Sequence, residues 1–138
     1  MKVTLKLDRK MRIIGSDNRG HQTIFDSYPS VGGEDTASTP MEILLQAMAA
    51  CSFMDVVSIL RKKRKTVTDL IINVEAERAE QHPKIFIKVH LLYELISPDA
   101  ELKDLERAIE LSQQTYCGAS AMFKKSGCIV TWEAKIKQ

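Results

Sequence analysis

The sequence has 138 residues, of which 44% are hydrophobic and 28% are charged, and its formal net charge at pH 7 is +2. This length suits one domain, and the composition is that of a globular protein, which excludes a disordered or fibrous chain. The small net charge excludes the concentrated basic field that nucleic acid or an anionic membrane requires of a partner. We therefore expect a single domain over residues 1–138 that binds neither nucleic acid nor a membrane.

The N-terminal residues and the number and spacing of the cysteines indicate the cellular compartment. The first ten residues contain lysines but no apolar run of the length that a secretory signal needs, so we expect a cytoplasmic protein. The three cysteines are an odd number and form no CxxC motif, which argues against a disulfide framework and against a structural zinc site. One or two of these thiols are candidates for reactivity.

The first third of the chain predicts three strands and a loop. Val3, Leu5 and Leu7 alternate with polar residues, the pattern of a half-buried strand. Residues 12–16 and 21–26, on either side of a turn-prone segment, predict a hairpin. Residues 27–38 are rich in Ser, Pro, Gly and Asp and predict a loop long enough to contain functional groups.

A long apolar helix follows this loop. Thr39, Pro40 and Glu42 form a capping box, which fixes the start of the helix. Between positions 43 and 60 only Gln46, Ser52, Asp55 and Ser58 are polar, so the helix has no broad polar face and is expected to be enclosed by protein. A membrane span is the less favoured alternative, because the segment is short and contains an aspartate. The basic run at 61–65 ends the helix with cations at the negative end of its dipole.

The rest of the chain predicts strands at 72–77 and 85–94, a helix from Ser97 and Pro98 toward Tyr116, a short helical segment after Cys117, and a last strand at 128–136. This order predicts an α+β fold, with an antiparallel sheet of about six strands and a long buried central helix. Such a sheet covers only one side of the helix. We therefore predict a homodimer in which a second copy covers the other side.

The three cysteines differ in their surroundings. Cys128 shares the apolar face of a strand with Trp132, which favours a packing role. Cys51 lies on an apolar helix face, where packing and reactivity both remain open. Cys117 precedes Gly118 and other small residues, and it is placed to cap the next helix, a position that lowers the pKa of a thiol. Packing and reactivity both remain open for Cys117 as well.

A thiolate at Cys51 needs a cation from another part of the chain. Cys51 lies about 16 Å along the helix from its first residue, beyond the reach of the helix dipole. Asp55, one turn on, opposes a negative charge at Cys51. Arg9, Arg12 and Arg78 are the candidate cations, and the sequence does not choose among them. In a second interpretation, Arg78 has no role at the thiol and lies beyond the core because it is at the end of its strand.

Several of these segments together resemble the OsmC/Ohr family. They are Thr39-Pro40-Met41-Glu42, Ala49-Ala50-Cys51, the segment Asp55-Val56-Val57-Ser58-Ile59-Leu60, and Tyr116-Cys117. The similarity spans most of the chain and is greatest to the YhfA-like branch. It implies an intertwined homodimer with the OsmC-like fold, and a thiol peroxidase that reduces organic hydroperoxides in the oxidative stress response.

The resemblance also implies roles for residues. Cys51 corresponds to the peroxidatic thiolate, which becomes a sulfenic acid, and Cys117 to the resolving thiol that forms a disulfide with it. A dithiol reductant of the lipoyl type restores the thiols, without metal, haem or flavin. Met41 stands where the family's peroxidases have a glutamate that pairs with an arginine, and Arg9 is the positional match for that arginine. Glu42 is assigned to the helix cap.

Two other functions remain open. In the first, a non-catalytic or redox-sensing protein of this fold binds a small apolar ligand in the same pocket. In the second, Cys51 acts in another thiol enzyme with a histidine base. His21, His82 and His90 show no clear spacing to either thiol, and each is expected at the surface.

Overall fold

The computed structural model describes residues 1–138 and contains six strands and three α-helices. In chain order they are β1 (Val3–Arg9), β2 (Arg12–Asp17), β3 (Gln22–Phe25), α1 (Pro40–Lys62), β4 (Asp69–Arg78), β5 (Phe86–Ile96), α2 (Leu102–Leu111), α3 (Gly118–Lys125) and β6 (Ile129–Lys137). A five-residue π-helical turn, here the π-turn (Ser112–Tyr116), separates α2 from α3. The predicted order of elements and the α+β class are confirmed. Residues 1–46 and 47–138 form two compact units.

The first unit contains the antiparallel sheet β1-β2-β3, which includes the predicted hairpin. Gly15 lies in the middle of β2, opposite Leu5 and Thr23. A Cβ atom at Gly15 would lie 3.2 Å from the ring of Phe25, a distance that is tight for a carbon contact. The glycine therefore allows the aromatic ring to lie close across the backbone of the central strand.

Strand β1 is exposed along its whole length. The apolar residues Val3, Leu5 and Leu7 are 65%, 57% and 70% exposed, so the prediction of a half-buried strand is wrong for the single chain. The strand itself and its alternating pattern are as predicted. The pattern identifies an apolar face that the other strands of the same sheet leave exposed.

The loop after β3 is organised around a buried aspartate. One carboxylate oxygen of Asp26 accepts hydrogen bonds from the backbone N–H groups of Ser27 and Glu34. The other accepts the backbone N–H and the hydroxyl of Thr36, at 3.0 and 2.6 Å. The bonds from Thr36, then those from Ser27 and Glu34, hold the pKa of Asp26 well below its ordinary value of 3.8.

This arrangement predicts a loss of stability in acid. Because the folded pKa of Asp26 is depressed, its contribution is present above about pH 4 and is lost as the pH falls toward the folded pKa. Urea unfolding between pH 7 and pH 2 is expected to show a smaller decline in unfolding free energy for Asp26→Asn than for the wild type. Asp35→Asn, at an exposed acid of the same loop, is the control. Equal declines in all three proteins would contradict this assignment.

The second unit contains the sheet β4-β5-β6, in which the central strand β5 pairs antiparallel with β4 and parallel with β6. The prediction of one antiparallel sheet of about six strands is therefore wrong for the single chain, which has two three-stranded sheets and one parallel pair. The parallel pair has a simple cause. Between β5 and β6 the chain passes through α2, the π-turn and α3, and such a crossover returns the next strand in the same direction.

Helix α1 begins at the predicted capping box. The backbone N–H of Thr39 donates to the Glu42 carboxylate, and the N–H of Glu42 donates to the Thr39 hydroxyl. The buried residues of α1 occur every four positions, on one stripe that consists of Met48, Ser52, Val56 and Leu60. By length and composition the helix is apolar enough to cross a membrane, a property that core helices of soluble proteins share, and 22% of its apolar window is buried. The single chain therefore leaves much of α1 uncovered, and its enclosure by a second copy stays a prediction.

Helix α2 begins at Leu102, five residues after the predicted start at Ser97. The Ser97 hydroxyl accepts the backbone N–H groups of Asp99 and Ala100, which forms a turn instead of a helix cap. The cap is a reciprocal pair between Glu101 and the third helical residue, Asp104.

Candidate functional site

The structure brings Cys51 and Cys117 together within the second unit. Cys51 is half-buried on α1, whereas Cys117 is only 3% exposed and follows the π-turn directly. The Cys51 side chain lies close enough to the Cys117 thiol to influence its pKa. The Cys117 sulfur also lies 3.9 Å from the carbonyl oxygen of Met48, one turn before Cys51 on α1. The two residues that the resemblance identified therefore form a thiol pair.

Cys117 occupies the predicted N-cap of α3, and the Ser120 backbone N–H donates to its sulfur at 3.3 Å. The position alone predicts a lowered pKa. Burial nevertheless raises the pKa of the Cys117 thiol above its ordinary value of 9.0, and the hydroxyl and N–H of Ser120 oppose that effect. Contact with Cys51 raises it further. Cys117 is therefore a neutral thiol at neutral pH.

Cys128 is separate in character from this pair. It is buried just before β6, its backbone N–H donates to the Phe123 carbonyl, and burial raises the pKa of its thiol. Phe123 in turn stacks on Phe86 with ring centroids 5.6 Å apart. These surroundings agree with the packing role predicted for Cys128.

A buried chain of hydrogen bonds lies beside the thiol pair and connects α1, β5 and the π-turn. The Ser112 hydroxyl donates to the Asp55 carboxylate at 3.0 Å. Because each hydroxyl has one proton, Ser52 must then donate to Ser112, at 2.8 Å, and Tyr93 to Ser52, at 2.6 Å. The Gln113 amide nitrogen donates to the hydroxyls of Tyr93 and Ser52 at 3.0 and 3.3 Å. We call these five residues the polar chain.

The polar chain fixes the two segments that contain the thiols. Ser52 follows Cys51, and Gln113 lies four residues before Cys117. Burial raises the pKa of Tyr93 more than its hydrogen bonds with Ser52 and Gln113 lower it, so its hydroxyl stays protonated and able to donate. The Gln113 carbonyl oxygen in its side chain is buried without a partner, while its backbone carbonyl accepts the Lys124 ammonium at 2.5 Å. The π-turn is thus held from α1, β5 and α3.

Ser52→Ala tests how much the polar chain contributes to the free energy of unfolding. The substitution leaves the buried hydroxyls of Tyr93 and Ser112 each short of a partner, which is expected to lower the free energy of unfolding by about 1–3 kcal/mol. Urea unfolding measures this loss. Ser58→Ala, at an exposed serine on the same helix, is the matched control and is expected to change stability by less than about 0.5 kcal/mol. Equal effects of the two variants would contradict a structural role for the polar chain.

A groove of about 330 Å³ begins on α1 one turn after Cys51. Its lining residues are Asp55, Ser58, Ile59, Lys62, Lys63, Leu111 and Tyr116. The side nearest the thiols is formed by Asp55 and by Tyr116, the neighbour of Cys117. Its walls combine apolar side chains with two lysines at the far end of α1, and a small amphipathic molecule fits such a lining.

The three candidate arginines have partners of their own. Within the first unit, Arg9 pairs with Glu34 at 3.1 Å, and Arg12 pairs with Asp8 at 3.0 Å. In the second unit, Arg78 donates to the backbone carbonyl of the residue at position 84, at the end of β4. Arg78 therefore fits the alternative in which it lies beyond the core. Glu34 is an acidic partner of Arg9 that the sequence did not indicate.

The histidines do not supply a base to the thiol pair within their units. His90 bonds to Thr131 and Glu133 at 2.7 and 2.9 Å, on the face of β5 opposite that of Tyr93. His21 bonds to the Asp17 carboxylate in the hairpin turn, and His82 is exposed in the loop after β4. The structure gives no support to a histidine-assisted thiol enzyme. It also contains no cluster of three metal-ligating side chains.

Comparisons with known proteins give the family to which this fold belongs. The fold and the thiol pair define an α+β protein with two apposed cysteines. The family model for OsmC-like proteins matches residues 33–133. The protein YhfA of Escherichia coli K12 is 32% identical over 126 residues, which are 91% of each chain. The chain therefore belongs to the OsmC family.

Solved structures agree with this assignment. A hypothetical protein from Aquifex aeolicus VF5 is 33% identical, with a TM-score of 0.82, over 99% of this chain and 97% of that one. An organic hydroperoxide resistance protein OsmC from Legionella pneumophila has a TM-score of 0.65 over 100% of this chain and 98% of that one. That protein is 14% identical, so its likeness establishes the fold alone.

Proposed function

We propose that the protein is a cysteine-based peroxidase that reduces organic hydroperoxides. The Cys51 thiolate attacks one oxygen of the hydroperoxide, the O–O bond breaks, and the alkoxide that leaves takes up a proton to become an alcohol. The Cys51 sulfur is oxidised to a sulfenic acid. The Cys117 thiol then attacks this sulfur, which forms the disulfide and releases water. A dithiol of the lipoyl type restores both thiols and becomes a disulfide itself.

The observation that most directly supports this proposal is the contact between the two thiols. A sulfenic acid at Cys51 would form beside the Cys117 thiol, which lies close enough for Cys51 to raise its pKa. The polar chain holds both segments, which favours closure of the disulfide without a large rearrangement. The name of the Legionella pneumophila protein, which has this fold, supports hydroperoxides as the substrate class.

For the arginine that the family's peroxidases use, we propose Arg9. Met41 provides no carboxylate, whereas Glu34 already pairs with Arg9 inside the first unit. The Glu34 side chain is 29% exposed and that of Arg9 is 62% exposed, so the pair contributes little to stability. Its value to the protein would then lie in orienting the guanidinium group.

We further propose that the protein is a homodimer. The support is the apolar surface that the single chain leaves uncovered, on β1 in the first unit and on α1, where Leu44 and Met54 are 47% and 71% exposed. Exposed apolar patches of this kind mark interfaces. A second copy is the occupant that the family resemblance implies.

Titration of free thiols tests the proposed function. Addition of cumene hydroperoxide to the reduced protein is expected to remove two of the three thiols, with Cys51 joined to Cys117 and Cys128 still free. Peptide mass spectrometry identifies the joined residues, and dihydrolipoamide is expected to restore both thiols. Three free thiols after excess hydroperoxide would contradict the proposal.

Binding of a small apolar ligand is the second candidate function, and the groove beside Tyr116 favours it. The same samples distinguish the two. A ligand-binding protein would keep its thiols in hydroperoxide, and an amphipathic molecule would raise its melting temperature equally in the wild type and in Cys51→Ser.

A further inference from the structure

The two sulfurs of the thiol pair differ in access. In the single chain, Cys51 is half-buried on the helix that borders the groove, whereas Cys117 is only 3% exposed. Thiol–disulfide exchange requires the incoming sulfur to reach one sulfur of the disulfide in line with the S–S bond. Access therefore favours attack on the Cys51 sulfur.

The two sulfurs also differ in the hydrogen-bond donors that would stabilise a negative charge on them. The backbone N–H of Ser120 donates to the Cys117 sulfur at 3.3 Å, at the N-terminus of the eight-residue α3. The Ser120 hydroxyl is fully buried and has no hydrogen-bond partner of good geometry, yet it lies close enough to the Cys117 sulfur to favour its thiolate. This buried, unpartnered donor is the feature of the site that the peroxide step does not use.

We propose that the reductant attacks Cys51 of the Cys51–Cys117 disulfide, and that Ser120 positions and stabilises the Cys117 thiolate that leaves. The inference rests on the proposed disulfide cycle. The incoming thiolate forms a bond to the Cys51 sulfur, the S–S bond breaks, and its electron pair goes to Cys117. The Ser120 N–H and hydroxyl donate to this thiolate until it takes up a proton. In a dithiol reductant, the second thiol then displaces Cys51 and closes the reductant's own disulfide.

The site of attack is tested with a disulfide made independently of hydroperoxide. Diamide oxidises the two thiols, and excess 2-mercaptoethanol is then added and trapped at short times with N-ethylmaleimide. Peptide mass spectrometry is expected to find mercaptoethanol on Cys51 and maleimide on Cys117. Mercaptoethanol on Cys117, equal labelling of both residues, or failure of diamide to form this disulfide would overturn the inference. If diamide forms the disulfide and hydroperoxide does not, the proposed peroxidase fails while this inference stands.

Ser120→Ala tests the positioning role. Loss of the hydroxyl is expected to slow reduction of the diamide-made disulfide by about tenfold, the effect of removing a hydrogen bond to a charged group. The rate at which Cys51 of the reduced protein reacts with hydroperoxide is expected to stay unchanged, a separation that a general loss of structure would not produce. Ser126→Ala, at the other end of α3, is the matched control. Equal reduction rates for the wild type and Ser120→Ala would overturn the role of Ser120.

Discussion

Replacement of Cys51 by serine is expected to abolish reduction of organic hydroperoxides and to leave both remaining thiols free. A serine hydroxyl is not ionised at neutral pH and does not attack the O–O bond, so the sequence of steps stops before the sulfenic acid forms. Cys117 does not substitute for it, because burial keeps Cys117 a neutral thiol and denies it access to the peroxide. Loss of cumene hydroperoxide in the presence of dihydrolipoamide measures the effect, which is expected to reach the uncatalysed background.

Two further cysteine variants sharpen this test. Cys117→Ser is expected to lose one thiol in the first turnover and, in excess hydroperoxide, to gain two oxygens at Cys51, because no resolving thiol intercepts the sulfenic acid. Cys128→Ser is expected to behave as the wild type and lose both of its remaining thiols. Wild-type turnover in Cys51→Ser would refute the assignment of Cys51 as the peroxidatic residue.

Features that depend on neighbours in sequence were predicted well. The α1 capping box is an example, because Thr39 and Glu42 are three residues apart and their geometry is local. The hairpin of β2 and β3 is another, with its register given by alternating residues around a short turn. The predicted start of α2 at Ser97 was wrong. The side chains of Ser97 and Glu101 are both able to accept backbone N–H groups, and only the folded backbone shows that Glu101 is the residue that caps the helix.

Features that depend on distant contacts were not predictable from local pattern. Ser52 was recognised as one of few polar residues in α1, but its partner Ser112 lies in the π-turn, 60 residues further along the chain. Tyr93, on the buried face of β5, completes the polar chain from a third element. A polar residue at a buried position signals that it has a partner, but the signal does not identify the partner.

The thiol pair shows the same limit in another form. Spacing alone left Cys51 and Cys117 each open to a packing role, and the resemblance to the OsmC/Ohr family was what joined them. The structure adds their contact, and it also adds the balance between burial and the Ser120 bonds that sets the state of Cys117. Capping position alone predicted the opposite direction for its pKa, because sequence pattern does not measure burial.

Apolar faces raise the related question of what covers them. The alternation in β1 and the length of α1 identified apolar surfaces correctly, but the single chain leaves Leu5 57% and Met54 71% exposed. Burial of such side chains contributes about 1.5–3 kcal/mol each. The proposed homodimer would recover this energy twice, because a two-fold interface uses each residue in both copies.

If the proposed homodimer forms, Met54→Asp is expected to convert it to a monomer. The change removes an apolar side chain and would place a carboxylate in an apolar interface, once in each copy, at a combined cost of about 4 kcal/mol or more, which corresponds to about a thousandfold weaker association. Light scattering is expected to give twice the chain mass of 15.6 kDa for the wild type and the single mass for the variant. Leu102→Asp places the same acid at an exposed apolar position in the first turn of α2, where an acid suits the helix dipole. This variant is expected to remain dimeric, because α2 is not part of the proposed interface on β1 and α1. A wild-type mass of 15.6 kDa at all concentrations would refute the homodimer, since the apolar surfaces of β1 and α1 would then be stable in water without a second copy.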